Sequence, residues 1–213
     1  DVDLMIDGTR LVGRIDGIRG DGGPRVEMSV STHAPKYDLR LWIKHVIRRA
    51  VEVDRPPAPS YLVMRKGTNG AETVCLGQRL TPTDAVAYLK TLIGYYKVGQ
   101  QVPLLFFPKT SWKHIDRLRI AGKRIPAEAT ERGPEAVQAW LAQQTWRDAV
   151  KAWEGDNFSR AERDDHHLML WGTKRPFEAD FTLPNVPSEL WLPFATLAEA
   201  IWRPFVNEKE KSK

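Results

Sequence analysis

Gly13-Arg14-Ile15-Asp16, with Ser29-Val30-Ser31 thirteen residues beyond the aspartate, is the stretch on which the fold turns. Around it, Val2 to Ile6, Leu11 to Ile18 and Arg25 to Val30 alternate or run apolar. They are separated by the turn formers Asp7-Gly8 and Gly20-Asp-Gly-Gly-Pro24, a pattern that predicts a β-meander. Behind it, Leu39, Trp42, Ile43, Val46, Ile47 and Ala50 recur at three-and-four spacing and predict a helix over 36–51. Arg55-Pro-Pro-Ala-Pro59 stops that helix, because proline lacks the amide donor and restricts the residue before it. Strands that carry carboxylates side by side can hold Mg²⁺, a hard ion bound by oxygen. A nearby lysine then positions the attacking water while the metal stabilises charge on a phosphate. Asp16 can supply one carboxylate, but Ser29 and Ser31 on the following strand candidate carry neutral hydroxyls, which stand in for neither a carboxylate nor an ammonium. Glu27 lies two residues away along the same strand face, with no lysine following in register. The reading is a degenerate site with no catalytic residue and no metal.

Further along, Ser60 to Arg65 and Thr73 to Leu76 are strand candidates joined across a turn. Thr81-Pro-Thr-Asp84 opens a helix lined by Ala85, Leu89, Leu92 and Tyr96 and ending near Gly99. Val102 to Phe107 reads as a buried strand, and from Lys109 the pattern is helical, clearest over 134–154. The tail from Glu208 is charged and expected to fray. The order predicts an α/β fold with a helical C-terminal part: an α/β core over 1–112, and helices over 113–213 packed on the same domain.

Composition bounds the class. Hydrophobic residues at 42% and charged residues at 28% describe a folded globular chain, and no apolar run approaches a membrane span. The opening residues read as the middle of a strand in a piece of a longer protein. One cysteine, Cys75, excludes an internal disulfide and a cysteine-rich metal site, and fits a cytoplasmic protein. A net charge of +5 is compatible with a phosphate-bearing partner. The absence of a phosphate-binding Gly-x-x-x-x-Gly-Lys-Ser/Thr loop argues against ATP hydrolysis, and no cofactor is expected.

Gly13-Arg-Ile-Asp16 resembles the Gly-x-Ile-Asp strand of RecB-type members of the PD-(D/E)XK nuclease superfamily, whose next strand carries Asp-x-Lys; the resemblance places that element at Ser29-Val30-Ser31, with serine at both chemical positions. Downstream, four segments in unbroken order resemble the RecC C-terminal domain: Leu41-Trp-Ile-Lys-His-Val46, Tyr61-Leu-Val-Met-Arg-Lys66, Leu92-Ile-Gly-Tyr-Tyr-Lys-Val-Gly99, and Pro103-Leu-Leu-Phe-Phe-Pro108 with Trp112 beyond. The resemblance runs from about Leu11 to Trp112 and is looser afterwards. It implies a nuclease fold without cutting activity, within the exodeoxyribonuclease V helicase–nuclease of double-strand-break repair and homologous recombination. It also implies RecB-like and RecD-like motor subunits as partners, and DNA near the fork. An active Mg²⁺-dependent nuclease rebuilt around Asp16 and Glu27 is the alternative, and a purely structural domain a third.

Lys36, Arg40, Lys44 and Arg48, four residues apart, form a stripe drifting about 40° per step along one helix. Such a stripe can track phosphates weakly and without reading bases; the competing account is a solvated face. Asp164-Asp-His-His167 reads as a helix N-terminus rather than a metal site. Trp171, Trp191, Phe194, Trp202 and Phe205 lie in a proline-interrupted segment, so some of these rings are expected to stay exposed and dock on a motor subunit. On that expectation the chain folds without residues 187–213.

Overall fold

A computed structural model describes residues 1–155, 161–178, 181 and 186–209. It divides into two compact units, residues 1–103 with 204–213, and residues 104–203.

In the first unit, β1 (Val2–Ile6) and β2 (Thr9–Gly13) pair antiparallel. Asp7 and Gly8 join them, both at positive φ, as a two-residue hairpin with right-handed strand twist requires. The expected meander ends there. β3 (Arg25–Thr32) does not continue it but begins a separate sheet in the order β3-β4-β5. The cause is local: the chain leaves extended geometry after Gly13, and Gly17 turns at φ 78°. A Cβ on Gly17 would lie 2.6 Å from the Val26 carbonyl oxygen, so only glycine fits this approach. Asp16 is therefore in an irregular segment beside β3 rather than in a strand.

The helix α1 (Pro35–Val51) crosses from β3 to β4 (Ser60–Lys66), which pairs parallel with β3 and antiparallel with β5 (Gly70–Leu76). α2 (Pro82–Gly99) starts at the side-chain cap of Thr81 on the Asp84 amide, as read from the sequence, and packs on α1. Leu41, Trp42 and Val46 of α1 are fully buried, and Trp42 meets Tyr88 of α2 at 5.5 Å and Phe205 at 6.3 Å. The buried side of α1 is more polar than its apolar periodicity suggests, for it includes Asp38, His45, Arg48 and Arg49. Each finds a partner: His33, Ser60, the carbonyls of Gly22 and Gly23, and the Leu80 carbonyl.

The second unit is helical. Residues 102–107 form no strand. Pro103 and Pro108 lack ladder donors, and the segment instead leads into α3 (Pro108–Ala121) with Leu105 and Phe107 buried. The Glu162 carboxylate accepts from the Lys109 and Thr110 amides at 2.8 and 2.6 Å, closing the open N-terminus of α3. α4 (Ala127–Glu131) precedes α5 (Pro134–Glu154), which packs on α3. α6 (Asp165–Trp171) is capped reciprocally by Asp164 and His167, which accounts for that acidic and histidine run.

α7 (Phe194–Glu208) carries Pro204 within it. Its Phe194 to Arg203 belong to the second unit and its remainder to the first. No helix among the described residues is long and apolar enough to cross a membrane.

Candidate functional site

The centre of the site is Arg25, the first residue of β3, whose side chain is 1% exposed. Its Nε donates to the Asp16 carbonyl at 3.0 Å. Its Nη2 donates to the Asp16 carboxylate at 3.4 Å and to the Glu27 carboxylate. Glu27 follows two residues along β3 and so projects from the same face as Arg25. From α1, Lys44 donates to Asp16 at 2.9 Å and lies 3.9 Å from Glu27, while Arg40, one turn earlier, pairs with Glu27. Two carboxylates thus converge, as a metal site would need, but the space between them holds a guanidinium and an ammonium.

Electrostatics follow this geometry. Lys44, by hydrogen bond and by charge, holds the Asp16 carboxyl down at about 2 although the side chain is largely exposed. Burial pushes the Glu27 carboxyl up, and Arg25, Arg40 and Lys44 more than offset it, leaving it below the usual carboxylate range. Both groups are therefore anions near neutral pH, each already satisfied by cations. Three positive and two negative charges give the cluster a net charge near +1, the opposite of what attracts Mg²⁺.

Ser29 accepts the Ser31 amide at 3.2 Å, within the register shift between Ser29 and Thr32, so this hydroxyl serves a bulge. Among the described residues no three or more His, Cys, Asp or Glu side chains gather where they could hold an ion.

The basic stripe on α1 is not four free cations. Arg48 is buried and donates to Glu52 and to the carbonyls of Gly22 and Gly23, so it cannot meet a phosphate. Arg40 and Lys44 are engaged by Glu27 and Asp16, and of the four only Lys36 is exposed with no ion pair among the described residues, 5.2 Å from the Tyr37 ring. The sequence signal missed here was Arg25: an arginine two residues before a strand glutamate, on one face, is placed to neutralise it.

The aromatic segment also differs from expectation. Trp171, Phe194, Trp202 and Phe205 are buried, and only Trp191 remains half-buried. Prolines did prevent one long helix, but short elements fold the rings back within each unit: Trp171 and Phe194 onto Phe107, and Trp202 onto Trp112. Pro184 of that segment lies outside the described residues. The described tail does not fray: α7 runs to Glu208, and Lys209 bridges to Leu76. Glu208 is buried, accepts the Arg79 amide at 2.9 Å, and lies 3.8 Å from His45. Burial raises the Glu208 carboxyl, but His45 and the Arg79 amide bring it below its ordinary value. Residues 210–213 of the tail lie outside the described residues.

One titration is expected to show in stability. The hydrogen bond to Asp38 at 2.8 Å raises His33 above its ordinary 6.5, against some burial. The protonated pair stabilises the junction of β3 and α1 fully below pH 6.5, and that contribution disappears as pH rises through the raised value. The thermal midpoint should therefore fall across this window, and His33→Gln, which can still donate to Asp38, should flatten the dependence. An unchanged slope in that variant would assign the pH effect elsewhere.

A family model for the RecC C-terminal domain matches residues 1–119. The chain is also 28% identical over 214 residues to the RecBCD enzyme subunit RecC of Mycobacterium tuberculosis strain CDC 1551 / Oshkosh, and equally to that of strain ATCC 25618 / H37Rv. Each alignment covers 97% of this chain but 17% of the relative, so the chain spans about one sixth of the length of the curated proteins it matches. With the family model covering more than half of its length, the chain belongs to the RecC C-terminal domain family.

Proposed function

We propose that this chain is a non-catalytic, nuclease-like domain of a RecC-type subunit, holding partner subunits and DNA in place within a RecBCD-type helicase–nuclease. The observation that carries the reading is the closure of Asp16 and Glu27 by Arg25 and Lys44. A hydrolytic metal centre needs those oxygens free, whereas here they act as an ionic tie between the segment before β3, β3 itself and α1. The parallel β3–α1–β4 crossover with antiparallel β5 supports a PD-(D/E)XK-like core. The relatives' name, a subunit of the RecBCD enzyme, supports RecB-type and RecD-type partners, and a role in DNA repair in the cytoplasm belongs to the same proposal.

A partner surface built on the buried rings is not supported. Exposed large apolar side chains among the described residues of that segment are instead Leu168, Met169 and Leu170 of α6, with Trp191 half-buried. Co-expression of the chain, in its full-length RecC-type protein, with RecB-type and RecD-type subunits tests the reading. Met169→Glu/Leu170→Glu is expected to lower recovery of the assembled enzyme several-fold while the thermal midpoint of the chain holds. Full assembly in that variant would remove α6 as the contact, and no assembly even of the unaltered protein would remove the subunit reading.

A further inference from the structure

Residues 109–124, α3 and the turn after it, carry Lys109, Lys113, Arg117, Arg119, Lys123 and Arg124 against one acid, Asp116. Their net charge of +5 equals that of the whole chain, so the remaining residues balance to zero. The structure leaves much of this charge unspent. Arg119 shares Asp116 at 2.9 Å, and Arg117 reaches Asp148 at 3.8 Å and Gln144 at 3.2 Å. Lys113, Lys123 and Arg124 are exposed and enter no ion pair among the described residues. Glu128 and Glu131 on the neighbouring α4 pair with none of them. The carbonyls at the end of α3 favour cations at Lys123 and Arg124. They do not explain Lys113, more than two turns from that end of the helix, or a run of sixteen residues with a single carboxylate.

We propose that this strip is a sequence-independent binding surface for nucleic-acid phosphates, with Lys113, Lys123 and Arg124 as its contacts. The inference deepens the reading of the chain as a DNA-positioning domain and rests on it, but moves the contact from α1 to α3. From Lys113 to Arg124 the strip extends about 16 Å. Duplex DNA presents a phosphate charge about every 1.7 Å of its axis, so three contacts lie within reach of one strip. A membrane surface suits it poorly. Exposed large apolar side chains, which an interfacial helix inserts, are absent from residues 109–124.

The test is fluorescence anisotropy of the 213-residue chain with a labelled 30-base-pair duplex between 50 and 200 mM KCl. Three phosphate contacts give a slope of log affinity against log salt near −2.7, hence roughly 40-fold weaker binding across that range. Lys113→Gln/Lys123→Gln/Arg124→Gln, with circular dichroism and thermal midpoint matching the unaltered chain, is expected to abolish most of that slope. Lys36→Gln, on α1, is expected to leave it intact. A slope near zero in the unaltered chain, or one preserved in the triple variant, overturns the proposal. So does binding to phosphatidylserine vesicles with none to DNA, and so does a slope that only Lys36→Gln reduces. The triple variant should still assemble with RecB-type and RecD-type subunits. If the unaltered protein binds DNA through α3 but never assembles, the subunit reading fails while this surface stands.

Discussion

A chain ending before Pro187 is expected not to fold. The removed segment supplies Leu197, Trp202 and Phe205, all fully buried, and truncating one such aromatic ring alone costs about 3–5 kcal/mol. It also supplies Glu208, whose carboxylate accepts the Arg79 amide and whose carbonyl accepts the Gly77 amide at 3.2 Å, and the bridge from Lys209 to Leu76. Together these losses rival the entire stability of an ordinary domain, about 5–15 kcal/mol. Near-UV circular dichroism and urea titration of the truncated chain should show no cooperative transition. A transition within about 1 kcal/mol of the intact chain's would revive the expectation that this segment is a detachable docking arm.

Arg25→Ala should be the most damaging single change at the site. It strips the Glu27 carboxylate, itself largely buried, of its internal partner and frees the Asp16 carbonyl. Breaking a buried pair from one side costs about 3–5 kcal/mol. For a chain of this size that lowers the thermal midpoint by roughly 6–20 °C. Lys44→Ala should cost far less, about 1 kcal/mol or below, because its partner Asp16 is largely solvated. Equal effects of the two substitutions, read by thermal denaturation, would remove Arg25 from the centre of the cluster.

Much of the fold was legible because its signals are local. Helices over 36–51 and 134–154, and one opening at Thr81-Pro-Thr-Asp84 and ending near Gly99, follow from periodicity and caps, and the observed helices agree with them closely. Sheet partnership was not legible. Whether β3 joins β2 or β4 depends on Gly17 at positive φ and on the α1 crossover, neither of which leaves a periodic trace. The strand expected over 102–107 failed for a related reason: an apolar run between prolines reads alike whether it pairs or only packs.

At the site, Asp16 and the serines at 29 and 31 could be named from the resemblance to the nuclease strands, and Glu27 from strand alternation. The identity of what lies between the two carboxylates could not. Lys44 and Arg40 looked like a solvent-facing stripe because sequence gives the direction of a helix face but not what lies opposite it. Arg48 shows the limit most plainly: its guanidinium is buried on two loop carbonyls, a use of charge that no four-residue spacing distinguishes from a surface cation.

The central claim is that Arg25 and Lys44 hold the carboxylates a nuclease would give to its metal. It is tested most directly by incubating the chain with linear duplex and single-stranded DNA in Mg²⁺ or Mn²⁺, alongside Asp16→Ala. No cleavage above that of Asp16→Ala is expected under any of these conditions. Metal-dependent cleavage by the unaltered chain that disappears in Asp16→Ala would contradict the claim and make the site an active nuclease built on Asp16 and Glu27.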